Sequence, residues 1–460
     1  MILLASGTRA PFLDRRTILA GMAGLLVARP AFSEARFDAA SFGAVGNGQT
    51  LSTRAIQAAI DAAAKAGGRV TLPPGTYLTG ALFVKSGVTL QVDRGVTLLG
   101  SRDPADYPMR ATRVAGIEAI WPAALVNIYR EHDAHITGEG VIDGDGKVWW
   151  DAYHALRESY QPRGLRWAAD YDCRRPRLIQ LYEASNASVG GGLLLRRSGF
   201  WTVHVCYSRD IVVSDVTIRN NEDGRGPSTD GIDIDSSTRI RVERADIACN
   251  DDALCLKAGR DADGQRVNRT STDVLIRDCT IRDAAAGITF GSETAGGFRN
   301  IRVERLRVLA PTPSGILFKS AHTRGGVIRD IVIDDIDMRG MKTAVRIDLN
   351  WNPSYSYARI PPEITDPPAL WRVLAQPVPP ERGLPKLEIV TIRRIRATDT
   401  RRAFDVAAYP KATLDHFRFD DIAIDAADGG AIADARDWRF TRTRLAAKPA
   451  LRDSSGITGL

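Results

Sequence analysis

Cysteine is scarce in this chain: five residues in 460, an odd count without metal-ligand spacing, too few to staple a protein of this length. Cys173, Cys206, Cys249, Cys255 and Cys279 therefore read as buried thiols, and a Cys249–Cys255 bridge in an oxidising compartment is the alternative. Long apolar runs are scarcer still. Beyond residue 33 no segment is apolar enough to cross a bilayer, so no stable membrane association is expected of the body of the chain. Lys/Arg clusters interleaved with aromatic residues are missing as well, which removes nucleic acid as a partner. Disorder is excluded by composition, since 44% of residues are apolar and 25% charged, the balance of an ordinary globular protein.

The one apolar run lies near the start, where Asp14-Arg15-Arg16-Thr17-Ile18 leads into Leu19 to Ala28, then Arg29-Pro30 and the small-residue step Ala31-Phe32-Ser33. This is the order of a bacterial signal peptide, and the paired arginines indicate the twin-arginine route. A membrane anchor is the alternative, but the run falls short of the roughly 20 residues a spanning helix needs. The expected mature chain starts near Glu34, is periplasmic or secreted, and forms one domain over residues 34–460, acting as a monomer. Without residues 1–33 four arginines and one aspartate leave, and the formal charge falls from +7 to +4. That mild excess suits an acidic polysaccharide or a plain solvated surface.

Repetition is what the chain has in abundance. Ser208-Arg209-Asp210-Ile211-Val212-Val213 matches Ser237-Thr238-Arg239-Ile240-Arg241-Val242, and the theme returns at Thr272 to Ile281, Arg299 to Val308, Arg329 to Met338, Lys386 to Ile395 and His416 to Ile424. Between copies lies a second strand pattern: Ile232-Asp233-Ile234, Leu254-Cys255-Leu256, Ile288-Thr289-Phe290, Ile316-Leu317-Phe318 and Val345-Arg346-Ile347. Its first apolar residue advances by 22, 34, 28 and 29 positions. Short strands of period 2 with no helix between them predict an all-β solenoid, a single-stranded parallel β-helix. Such a stack needs a lid. Ser52 is placed to cap a helix from about Thr53 to Ala66, with Ile56, Ile60 and Ala63 on one face and Gly67-Gly68 stopping it. Irregular segments at about 103–130, 147–176 and 350–385, rich in Pro, Trp and Tyr, are expected to wall a groove. Trp149, Trp150, Trp351, Tyr355 and Tyr357 are candidates to stack on sugar rings, or to bury under their own loops.

The repeat picks out the chemistry. Asp230 lies two residues before Ile232 and Asp252 two before Leu254, so they occupy equivalent positions on successive coils, about 4.8 Å apart. Asp251 sits beside them. Carboxylates crowded in this way acquire separated pKa values, the equipment of glycoside hydrolysis. An asparagine-ladder-like turn or a calcium site is the alternative on spacing alone.

Ser228-Thr229-Asp230-Gly231 and Asn250-Asp251-Asp252 resemble the Asn-Thr-Asp and Gly-Asp-Asp signatures of glycoside hydrolase family 28, the polygalacturonases. Phe42 to Gly48, Leu72 to Tyr77, Gly138 to Gly144, Gly291 to Gly297 and Asn352 to Tyr357 also resemble bacterial and plant members, so the likeness runs from about Phe37 to Ile424. The resemblance implies a right-handed, pectin-lyase-like β-helix and inverting hydrolysis of a pectic oligo- or polysaccharide with no metal or other cofactor. Asp251 would be the general acid, with Asp230 and Asp252 holding and deprotonating the attacking water. A calcium-dependent pectate lyase and a non-catalytic glycan-binding solenoid are the alternatives.

Two motifs depart from the family. Its Gly-His-Gly stands here as Gly291-Ser292-Glu293, and its Arg-Ile-Lys as Leu317-Phe318-Lys319. Strand alternation turns Phe318 inward and Lys319 outward, toward the aspartates. Glu293 is expected on the same face, suited to neutral hydroxyls. His322, Arg299, Arg324 and Arg346 are candidates to compensate for the lost groups, or surface residues. The expected substrate-binding set is Glu293, Lys319, Tyr355, His322 and Arg324. Galacturonan trimmed from an end, rhamnogalacturonan and rhamnose- or xylose-decorated pectin fragments remain open as substrates.

Overall fold

Alternating apolar residues make the chain coil, because every second side chain of each strand must leave water and only the strand one coil away offers matching backbone partners. The structure, a computed structural model, describes residues 35–309, 311–410 and 414–460. The signal-peptide reading of residues 1–33 lies outside the described residues. Strands Ile179–Tyr182, Val203–Cys206, Ile232–Asp235, Asp252–Lys257, Ala286–Phe290, Ser314–Lys319 and Thr343–Asp348 stack in parallel as one face. Ile232 pairs with Leu254, Leu254 with Ile288, Ile288 with Ile316 and Ile316 with Val345. The uneven advances read from the sequence are thus the steps from coil to coil.

A second face stacks Ile211, Ile240, Val274, Ile301, Ile331, Val390 and Phe417 in register. A third, shorter face stacks Ile142, Leu195, Ile218, Ile247 and Ile281. All point into one continuous bore, where Phe290 and Phe318 stack with centroids 4.4 Å apart. Each buried Ile, Leu or Val stabilises the stack by about 1.5–3 kcal/mol. The corner before the second face recurs in the left-handed conformation at Asp210, Arg239, Asp273, Asn300 and Asp330, φ between 53° and 58°. Asn and Asp, which supply four of the five, tolerate that region better than other side chains. Ion pairs such as Arg244–Asp215 and Arg305–Asp278 decorate the following corner. Being exposed, each is worth at most about 1 kcal/mol.

The lid is the helix Thr53–Ala64, which buries Ile56, Ala59, Ile60 and Ala63 on the first coils. Ser52 does not cap it: its Oγ accepts from Val45 N at 3.0 Å and lies within hydrogen-bonding distance of the Val45 and Thr50 carbonyls, fixing the incoming loop. The cysteines are all free and buried, so Cys249 and Cys255 do not bridge. Among the described residues no helix is long and apolar enough to cross a membrane.

The three excursions are more ordered than their composition suggests. The first holds an antiparallel hairpin, Met109–Val114 with Ile117–Pro122, and the second a helix, Lys147–Tyr160. Trp149 and Trp150 are buried by that helix, Trp150 Nε1 donating to the Ser198 carbonyl at 2.8 Å. Val114, Ile117, Trp121, Trp167, Tyr171, Phe200, Trp201 and Trp371 draw the excursions into a second apolar cluster, separate from the bore.

Candidate active site

Two stacked turns bring the acids together. Thr202 N donates to the Asp230 carbonyl and Gly231 N to the Asp252 carbonyl, both at 2.9 Å, which seats Asp230 one coil below Asp252. Gly231 is required there, since a Cβ would come within 2.3 Å of the Ala253 carbonyl oxygen. A carboxylate oxygen of Asp230 lies within 4.8 Å of one of Asp252. Two hydrogen bonds of about 2.8 Å at a tetrahedral angle reach about 4.6 Å, so a single water can bridge carboxylates separated by about that much. Asp252 is 1% exposed and receives Lys319 Nζ at 2.7 Å and Thr289 Oγ1 at 2.9 Å. Asp251 accepts from Asp252 N at 3.0 Å and keeps part of its side chain open to the cleft.

Lys257, which the sequence reading did not single out, is the hub beside them. Its Nζ lies 3.4 Å from Asp230, 3.4 Å from Asp233 and 3.6 Å from Glu293, and 4.7 Å above the Trp201 ring. The alternation that turns Lys319 outward also turns Lys257 outward, since Leu254 and Leu256 face the bore. Tyr355 Oη lies 3.5 Å from Glu293 Oε1.

This arrangement drives neighbouring carboxyls in opposite directions. Burial and the adjacent Asp252 charge raise the Asp251 carboxyl above the ordinary carboxylate range, against Lys319 and Lys257. Burial pushes Asp252 the same way, but Lys319, Lys257 and the bonds from Lys319 and Thr289 outweigh it and hold Asp252 low. Asp230 is raised well above the usual range by burial and by Asp233 and Asp251. Asp233, fully buried, is pushed up to about 7 by burial, with Lys257 opposing and Asp252 and Glu293 adding. Glu293 is held low because Lys257, Arg324, Lys319 and Arg260 together outweigh its burial. Asp230, Asp252 and the Cys255 thiol are close enough to share an ion. The two lysines already occupy the cation positions, however, and a thiol is no ligand for a hard cation, so the calcium alternative lacks a donor set.

Asp230, Asp251, Asp252, Glu293, Lys319, Trp351 and Tyr355 line one cleft, together with Arg166, Asp170, Trp201, Ser228, Lys257 and Asn352. Its empty volume is about 610 Å³, including open solvent at the mouth. His322 and Arg324 are not among the lining residues. His322 packs edge-on against Tyr409 at 4.1 Å. Arg324 is buried, pairs with Asp261 and donates to the Ser292 carbonyl at 3.2 Å, so it braces the segment carrying Glu293. Arg299 is exposed away from the cleft, and Arg346 lies behind Trp351, 5.0 Å from its ring centre. Tyr357 accepts from His322 N at 3.0 Å.

The hairpin runs beside the acids, across the ends of the strands that carry them. Arg113 Nη1 donates to Asp235 at 2.9 Å and Ser236 at 2.6 Å, and Arg260 N donates to the Gly116 carbonyl at 3.0 Å. Tyr171 Oη donates to the Ala115 carbonyl at 2.8 Å, and Trp371 meets Trp167 edge-on at 5.0 Å. These contacts wall the cleft on that side, where Ala115 lines it.

The family model of Glycosyl hydrolases family 28 matches residues 69–360. A "Probable polygalacturonase" of Vitis vinifera is 34% identical over 314 residues, 66% of this chain and 60% of its own length. An exo-poly-alpha-D-galacturonosidase of Dickeya chrysanthemi is 27% identical over 71% of this chain and 60% of its own. The chain thus spans about 60% of the length of these curated relatives. Among solved structures, an exopolygalacturonase from Thermotoga maritima superposes with a TM-score of 0.71 at 23% identity, over 91% of both chains. A family 28 exopolygalacturonase from Yersinia enterocolitica gives 0.73 at 21%, over 92% of this chain and 78% of its own. At these identities the likeness establishes the fold alone, a parallel β-helix.

Proposed function

The chain belongs to glycosyl hydrolases family 28, and on that premise we propose that it hydrolyses glycosidic bonds at the ends of pectic chains by inverting general acid/base catalysis. The observation that carries the reading is the opposed environment of neighbours: Asp251 is open to the cleft and pushed toward its protonated form by burial and the Asp252 charge, while Asp252, one residue on, is bound by Lys319 at 2.7 Å and Thr289 at 2.9 Å and held toward its ionised form. Asp251 protonates the leaving glycosidic oxygen as the C1–O bond breaks. A water held between Asp230 and Asp252 forms the new C1–O bond and gives its proton to Asp252. Trp351 and Tyr355 line the place the sugar would take.

The Ala115-Gly116 tip, set against Arg260 and Glu293, narrows the cleft beside the acids, which supports attack at chain ends. The Arg15-Arg16 leader supports export by the twin-arginine route, to act in the periplasm or outside the cell, and the reading takes residues 34–460 as the acting monomer. Purified protein incubated with galacturonan, rhamnogalacturonan and their oligomers should release mono- or disaccharide from the first time point, without a rapid fall in viscosity. Absence of any new reducing end across that panel would overturn the reading.

A further inference from the structure

Glu293 lines the cleft, is 3% exposed, and takes no short hydrogen bond. Its Oε1 has Tyr355 Oη at 3.5 Å, and its Oε2 has no hydrogen-bond partner among the described residues. Lys257 balances the charge from 3.6 Å, too far for a hydrogen bond. Asp252, by contrast, is fully served by Lys319 at 2.7 Å and Thr289 at 2.9 Å. A buried carboxylate left in the state of Glu293 calls for a donor that the protein does not supply.

The side chain is fixed where it stands. Ala258 N donates to the Glu293 carbonyl at 2.7 Å, and Arg324 Nε donates to the preceding carbonyl, that of Ser292, at 3.2 Å. The hairpin tip lies against its stem, since a Cβ on Gly116 would come within 2.7 Å of Glu293 Cγ. A group braced on three sides presents its carboxylate at one place.

The chemistry of the missing donor follows by elimination. Lys257, Arg324, Lys319 and Arg260 hold Glu293 in its ionised form, and an ionised carboxylate only accepts. A carboxylate of the ligand would be repelled at that point, and a metal ion would meet the same four cations. A sugar hydroxyl is neutral, donates, and bonds more strongly to a carboxylate than to a neutral acceptor. Lys257 Nζ lies within 3.6 Å of both Asp230 and Glu293, so the two carboxyls border one sugar ring, the ring whose C1 the water attacks.

We propose that Glu293 is a specificity-determining residue that takes one ring hydroxyl of the sugar whose C1 is attacked. The inference rests on the hydrolase reading and adds to it the feature of the ring that is read. The probe is digalacturonate, in which that C1 belongs to the non-reducing ring, beside analogues with one hydroxyl of that ring at a time replaced by hydrogen. Wild type, Glu293→Ala and Glu293→Gln are compared by kcat/KM on each. For one hydroxyl, the ratio of parent to analogue should fall about thirtyfold from wild type to Glu293→Ala, the worth of a hydrogen bond to a charged acceptor. For the others it should change less than about threefold by the same reasoning. Glu293→Gln, whose amide oxygen still accepts, should keep part of the preference. The ratio cancels both the intrinsic reactivity of each analogue and any difference in folded fraction between preparations.

Equal losses in Glu293→Ala on the parent and every analogue would make Glu293 structural and overturn the inference. A wild type that cleaves none of these compounds bears on the hydrolase reading instead. In that event calorimetric binding of the same set decides: binding that depends on one hydroxyl, with the dependence lost in Glu293→Ala, supports the assignment, and binding that is absent or indifferent to the hydroxyls refutes it.

Discussion

Replacing Lys319 by Met keeps the length of the side chain and removes the ammonium 2.7 Å from Asp252. At an effective dielectric of about 20, a pair at that distance attracts by roughly 6 kcal/mol, and the burial of both groups offsets part of it, leaving a few kcal/mol. That interaction helps hold the Asp252 carboxyl low against its burial, so without it burial prevails and the carboxyl takes up a proton. Three kcal/mol corresponds to about two pH units. The acid limb of kcat/KM should therefore move up by about two pH units in Lys319→Met, with a maximal rate lowered by roughly a hundredfold or more. In the wild type a depressed folded pKa contributes stability above the unfolded pKa, lost as pH falls through the folded value. In the variant the folded pKa is raised, so its deficit relative to wild type should be largest at neutral pH and shrink on acidification. Reducing-sugar release from pH 3 to 8, with urea unfolding over the same range, measures both. A rate loss with an unmoved acid limb would refute the assignment of Asp252 as the ionised base.

Asp233, raised to about 7, costs the folded state stability as pH rises from the unfolded pKa toward that value; Asp233→Asn should flatten the decline in thermal melting temperature between about pH 4 and 7, and an unchanged slope would contradict it. Asp251→Asn should lower turnover by at least about a thousandfold while oligosaccharide binding survives, since a carboxyl pushed toward its neutral form is replaced by a neutral amide of similar shape; calorimetry beside the activity assay separates the two. Gly116, at φ 84°, would place a Cβ 2.7 Å from Glu293 Cγ. Gly116→Ala should therefore displace the hairpin tip, raise KM roughly tenfold and leave urea unfolding within about 2 kcal/mol of wild type.

The coils were legible because their signal is periodic. The advance from Ile232 to Leu254 to Ile288 to Ile316 to Val345 needed only the rule that every second residue faces the bore, and the same rule put Asp230 beside Asp252 and Lys319 outward. It would have found Lys257 too, had it been applied along the strand that begins at Asp252. Arg166 and Asp170 had no such signal, since they sit in an excursion whose folding depends on Trp167 and Trp371 meeting about 200 residues apart in sequence. Arg324 and His322 were candidates to compensate for the lost family groups, but the chain leaves the sheet after Lys319, and the two side chains turn to Asp261 and Tyr409. Ser52 precedes a helix as a cap should, yet its hydroxyl is engaged by the Val45 loop.

The most direct test of the account is the product of wild-type cleavage of a galacturonate oligomer, followed by proton NMR from the first minutes. Hydrolysis by the aspartates predicts a saturated sugar released from a chain end, with its anomeric configuration inverted relative to the bond broken. A retained configuration, or a 4,5-unsaturated product absorbing in the ultraviolet, would contradict it.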